Sequence, residues 1–233
     1  MGPGLPYLRA WKRAAPPLEG KRMSQAVPKL HDNVPDDAVR GVIALAHHAG
    51  AKGWIPSTSG NFSVRIDAND CAVTASGSDK TALKADGVIR APIRGPAHPR
   101  QSAEAPLHYL MYRMSPEIGA VTHVHSQPAV LASMALAKEG RVRIEGLELL
   151  KAFNGVKTHE THLDVPVFDN EQDMDALALK VEARLKAEGL GWGFLLAGHG
   201  IYAWGSNVQE TLRHIDAFDY LFTLMLKLKG IPA

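Results

Sequence analysis

Apolar residues along this chain repeat at spacings that switch between helix and strand. Pro35-Asp-Asp-Ala-Val-Arg-Gly-Val-Ile-Ala-Leu-Ala-His-His-Ala-Gly50 opens on proline and acids and closes on glycine, which predicts a helix. Residues 62–66 and 71–75 read as two strands around the turn Asp67-Ala-Asn-Asp70, a hairpin. Residues 102–113 form a helix with Ser102 as N-cap and Pro106 in the first turn, and Ser126 caps a further helix with Pro128 in its first turn. Strands follow at 141–146 and 163–168, Asn170 caps a helix running to Gly189, and 194–204 is another strand-like run. Ser206-Asn-Val-Gln209 is a capping box for the last helix. There Leu212, Ile215, Phe218, Phe222 and Met225 share one face, which core packing explains better than a cofactor does. Strands and helices interspersed with hairpins predict a layered α/β domain with a largely antiparallel or mixed sheet.

Composition narrows the class. At 233 residues, without repeats or low-complexity linkers, the chain suits one catalytic-sized domain at 31–233 behind a flexible tail at 1–30. Residues 1–23 hold four prolines and five basic side chains but no continuous apolar segment of a signal peptide, and Met23 is an alternative start. The net charge is +2, with 26 basic residues dispersed among 24 acidic ones, which argues against a nucleic-acid surface. Cys71 is the one cysteine, so no internal disulfide forms; a buried small apolar role and a reducing, cytoplasmic compartment fit it. No apolar run approaches the roughly 20 residues of a membrane helix, so no membrane partner is expected.

Three histidines carry the candidate chemistry. In an extended strand alternate side chains share a face, so Thr122-His-Val-His-Ser126 aims His123 and His125 at one point while Val124 turns to the core. His199, between Gly198 and Gly200, is a third imidazole on a strand-like run. Three imidazoles without cysteine suit a zinc-type ion with an open position, the mark of a catalytic site. His47 and His48 diverge on their helix and are poor co-ligands. Ser57-Thr-Ser-Gly-Asn-Phe-Ser63 and Thr74-Ala-Ser-Gly-Ser-Asp-Lys80 are hydroxyl- and glycine-rich turns able to cradle a phosphate monoester through N–H groups, hydroxyls, the Asn61 amide and Lys80.

In that order, Thr58-Ser-Gly-Asn-Phe-Ser-Val-Arg65, Thr74-Ala-Ser-Gly77, Ser102-Ala-Glu104, His123-Val-His125 and Gly198-His-Gly200 resemble the class II aldolase and epimerase family, over about residues 36–229. Within it, Glu148-Leu-Leu-Lys-Ala-Phe-Asn-Gly-Val-Lys-Thr-His-Glu160 and Val165-Pro-Val-Phe-Asp-Asn-Glu-Gln-Asp173 are similar to bacterial methylthioribulose-1-phosphate dehydratases. The resemblance implies a three-layer α/β/α domain and a homotetramer, with one Zn2+ per subunit on His123, His125 and His199. It implies loss of water from a small-molecule sugar phosphate, 5-methylthioribulose 1-phosphate, in methionine salvage. Phosphate binding falls to Ser59, Gly60, Asn61, Ser76, Gly77, Lys80 and Ser102, and acid/base work to Glu148, with Glu104 assisting or standing as a metal ligand when substrate is absent. Without the resemblance, Glu148 reads as a solvated strand residue and Glu104 as a first-turn acid facing a helix dipole. An aldolase or 4-epimerase on a sugar phosphate is the enzymatic alternative, and a non-catalytic scaffold domain the other.

Overall fold

A computed structural model describes residues 34–232; the expectations for the tail at 1–30 and for Met23 lie outside the described residues. Eight strands form a mixed sheet: β1 Asn61–Arg65, β2 Asp70–Thr74, β3 Val88–Pro92, β4 Ala120–Val124, β5 Arg141–Glu145, β6 His162–Phe168, β7 Gly193–Leu196 and β8 Gly200–Gly205. Their order is β3-β2-β1-β4-β8-β7-β6-β5, antiparallel throughout except for the β6–β7 pair. Both faces are covered. Helices α1 Asp36–Ala51, α3 Gln127–Ala135 and α5 Val208–Leu228 enclose one core, while α2 Ala105–Met114 and α4 Met174–Glu188 enclose the other. Strand alternation feeds both: on β8, Ile201 and Ala203 enter the first core and Tyr202 and Trp204 the second. The expected three-layer α/β/α architecture is therefore the observed one, and the α5 stripe is core, with Phe218 and Phe222 fully buried.

The departures from the pattern have local causes. The run 194–204 is two strands, because the turn at Ala197–His199 reverses the chain into a β7–β8 hairpin; buried on both faces, the run lacks the alternation that would mark the break. His199 thus lies on a turn, not in a strand. Asp173, rather than Asn170, caps α4, its carboxylate accepting from the N–H groups of Asp175 and Ala176. The last helix is capped one residue later than expected: Asn207 accepts from Glu210 N–H, and Glu210 Oε2 reaches back to Ser206 N–H at 2.6 Å. Helix α2 begins at Ala105, so Ser102 belongs to the preceding turn, its Oγ accepting from Glu104 N–H at 3.3 Å. Edge strand β3 carries no pattern of its own and ends in Pro92, as an edge permits.

Candidate metal and anion site

Strand β4 sits between β1 and β8 in the middle of the sheet and delivers His123 fully buried. Close backbone approach fixes it there. A Cβ on Gly60, whose φ is +84°, would lie 2.6 Å from His123 O, and one on Gly200 would lie 2.3 Å from Val124 O. His123 Nδ1–H donates to Ile201 O at 3.1 Å, and its ring stacks on Tyr202 with centroids 4.1 Å apart. His199 Nδ1–H donates to Asn170 Oδ1 at 3.1 Å. With both Nδ1 atoms protonated, both Nε2 atoms present lone pairs, and each lies 3.0 Å from His125 Nε2. Glu104 adds Oε1 at 3.1 Å from His199 Nε2 and Oε2 at 3.6 Å from His123 Nε2.

Such a set repels itself unless a cation joins it. Burial pushes His123 well below its ordinary pKa and His125 down to about 4, so neither neutralises Glu104 by protonation near pH 7. Burial works against ionisation of Glu104 too, and only positive charge facing it lowers its pKa, as His199 and the neighbouring imidazoles do when protonated and as a bound cation would do when they are neutral. His125 Nε2 can give one proton to one neighbour at most. One potential ligand atom from each of the four residues lies within 4.8 Å of the others, and the 3.0 Å nitrogen spacings are close to the roughly 3.4 Å edge of a tetrahedron with 2.0–2.1 Å bonds. The four residues fit a divalent ion of the zinc type. His47 bonds Leu83 O and His48 pairs with Asp216, so neither is a co-ligand.

The anion turns are brought to the same end of the sheet. Asn61 Nδ2 donates to Glu104 Oε2 at 2.6 Å, Lys80 Nζ–H donates to Thr58 O at 2.9 Å, and Ala75 bridges Gln101 just ahead of Ser102. Ser59 Oγ is buried without a partner among the described residues, whereas Ser76 and Gly77 are exposed. The source of donors differs from expectation: Ser76 N–H is spent on Arg100 O and Ser78 N–H on Ala75 O. Hydroxyls and the ammonium of the buried Lys80 are donors these turns retain. Burial lowers the Lys80 pKa while Glu104 and Asp79 oppose that shift.

Glu148 is elsewhere. It opens a short 3-10 turn, Glu148–Ala152, three residues beyond Glu145, which pairs with His162 at the start of β6; the metal cluster lies at the other end, where Phe168 pairs with Leu196. That separation is about 20 Å along β6. His214 independently places the turn, its Nδ1–H donating to Trp204 O at the far end of β8 and its Nε2 accepting from Asn154 N–H. The Glu148 side chain is 70 % exposed and pairs with Lys151 at 2.5 Å and His159 at 3.2 Å. Within one chain the sheet order places it at the opposite end from the histidines. It borders a groove of about 1240 Å³ with Leu149, Leu212, Arg213 and Tyr220.

Residues 40–226 match the class II aldolase and adducin N-terminal domain. The chain belongs to this family. Among curated relatives, the methylthioribulose-1-phosphate dehydratase of Parvibaculum lavamentivorans is 52 % identical over 190 residues, covering 82 % of this chain and 93 % of the relative. That of Stenotrophomonas maltophilia (strain K279a) is 43 % identical over 92 % of this chain and 96 % of its own. L-fuculose-1-phosphate aldolase from Thermus thermophilus superposes with a TM-score of 0.67 at 25 % identity, over 82 % of this chain and 95 % of that one. An aldolase II superfamily protein from Pseudomonas syringae shares the fold, with a TM-score of 0.65 at 20 % identity over 88 % and 78 % of the two chains. As a class II aldolase family member, the chain holds two features its pattern did not disclose: Asn170 behind His199 and Tyr202 beneath His123. A signal existed for the first, an Asn at a strand end, but it reads equally as a helix cap.

Proposed function

We propose that the protein is a hydro-lyase that converts 5-methylthioribulose 1-phosphate to 5-methylthio-2,3-dioxopentyl 1-phosphate in methionine salvage, as a cytoplasmic, zinc-dependent homotetramer with one ion per subunit. The convergence of three imidazole Nε2 atoms and the Glu104 carboxylate beside the anion turns is the observation that carries it. The 52 % identity to a dehydratase, against 25 % to an aldolase, favours dehydration over aldol cleavage. A bound divalent ion would supply Lewis-acid stabilisation of negative charge on substrate oxygens.

The chain's own groups do the rest. The C3 proton is acidic because the C2 ketone is adjacent, and a carboxylate must take it. Asn61 holds Glu104 Oε2, leaving Oε1 as the atom that accepts this proton once substrate displaces the carboxylate from the cluster. The C4 hydroxyl leaves as water only when a proton is delivered to it, and the enol left behind becomes the 3-ketone. Glu148 is assigned that delivery from a neighbouring protomer, an assignment supported by its exposure and by the exposed Leu149 and Tyr220 around it. Ser59, Ser76 and Ser102 hydroxyls, the Gly60–Asn61 and Gly77 backbone and the Lys80 ammonium hold the phosphate. Incubation of the metal-loaded protein with 5-methylthioribulose 1-phosphate should give, by mass spectrometry, a product lighter by one water; two-carbon or three-carbon fragments instead would establish aldol cleavage and overturn the proposal.

A further inference from the structure

The two histidines whose partners are defined are held in different ways. His123 is fixed by a central strand, by Ile201 O and by the Tyr202 ring. His199 stands on the β7–β8 turn, where no ladder sets its side chain, and its ring is 14 % exposed. Three contacts from outside the hairpin tether that turn: Ala197 N–H donates to Phe168 O at 2.8 Å, Gly198 N–H to Ser133 Oγ at 3.0 Å, and His199 Nδ1–H to Asn170 Oδ1. Two of the three come from the C-terminal end of β6 and the segment just after it. Because Asp173 caps α4, the Asn170 amide is not engaged in capping and serves the imidazole.

We infer that Asn170 is a positioning residue that fixes the tautomer and orientation of His199 and thereby sets the affinity of the cluster for a divalent ion. The inference rests on the proposed metal site. An acceptor at Nδ1 keeps the proton there and the Nε2 lone pair on the cluster; without it the ring rotates freely and takes the other tautomer half-way into the site, pointing N–H at the ion. Asn170 is exposed, so its truncation opens no core cavity and leaves the fold intact.

The test measures Zn2+ affinity by competition with a chromophoric chelator, with histidine 15N shifts of the metal-free protein as a second readout. Asn170→Ala should weaken Zn2+ binding by roughly 10–100-fold and abolish the Nδ1–H preference of His199, with an unchanged unfolding midpoint for the metal-free form. Asn170→Asp, which restores an acceptor, should recover affinity to the native level or above it. Equal Zn2+ affinity of the native protein and Asn170→Ala overturns the inference while leaving the metal site standing. Failure of the native protein to bind Zn2+ at all overturns the metal-site reading, and the inference with it.

Discussion

Glu104 and Glu148 are both carboxylates assigned to acid/base chemistry, and the molecule builds their surroundings in opposite ways. Glu104 stands in the cap position of α2, yet its side chain makes no capping bond and is turned instead onto Asn61 and the histidines. Around it are buried or half-buried groups whose charges cannot be relieved by water. Glu148 stands in solvent at the opposite end of the sheet, with the exposed Lys151 and His159 as partners and an open groove beside it. The first environment brings four potential ligands for an ion together within one chain; the second leaves its carboxylate open to water. A charge that can titrate or relax freely does no selective chemistry until it is desolvated.

The sharpest way to break this contrast is kinetic. Glu104→Gln should keep the ion on the three histidines and lower dehydration by roughly 10²–10⁴-fold, the contribution of a general acid–base group. Glu148→Gln should lose comparably if it serves a neighbouring site, and the geometry then demands complementation. Subunits of Glu148→Gln mixed with His123→Ala, each inactive alone, should regain activity, since a mixed pair places one intact cluster opposite one intact Glu148. No recovery from verified mixed oligomers would remove Glu148 from the mechanism and leave Glu104 to carry both proton transfers.

A second test probes how firmly the cluster end is desolvated. His108, one turn after Glu104 on α2, is fully buried against Ser63, whose Oγ also bonds Tyr112. Burial drives the His108 pKa from 6.5 to about 3. Its folded value lies below its unfolded one, so the neutral ring contributes full stability above pH 6.5 and loses it progressively as the pH falls from 6.5 toward 3. That loss is on the order of 4 kcal/mol for this group. Urea unfolding of the metal-free protein should show stability dropping steeply below pH 6.5, and His108→Gln should flatten the drop. A pH-independent native curve between 6.5 and 4 would mean that water reaches this end of the molecule.

How much of this was legible follows from the range of each signal. The period-two alternation of Thr122–Ser126 exposes His123 and His125 directly, and the hairpin β1–β2 shows through its Asx turn, in which Asp67 Oδ1 accepts from the N–H groups of Asn69 and Asp70. The β7–β8 reversal was hidden because both faces of both strands are buried, which erases alternation. Asn170 and Asp173 are both good caps three residues apart, and only the fold shows that the first answers to His199. The place of Glu148 depends on strand order across the sheet, which no local pattern encodes. The family likeness named its partners in sequence but not the chain that would bring them together.

The smallest expected effect is the most direct check on the exposed side of the comparison. Lys151 holds Glu148 at spacing i,i+3, with the two side chains 44 % and 70 % exposed. Its hydrogen bond, opposed by slight desolvation, lowers the Glu148 pKa. An ion pair so open is screened by salt and costs side-chain freedom to form, so its net contribution to folding is near zero. Lys151→Ala should therefore leave the unfolding temperature of the dissociated chain within the error of a thermal scan at about 0.15 M salt. If a neighbouring protomer covers Glu148 as proposed, the same substitution should alter catalysis, because a covered Glu148 has lost water as its alternative partner. A large fall in thermal stability of the dissociated chain would show that Glu148 and Lys151 are already desolvated within one protomer. The division between a site finished by its own chain and one finished by a neighbour would then be wrong.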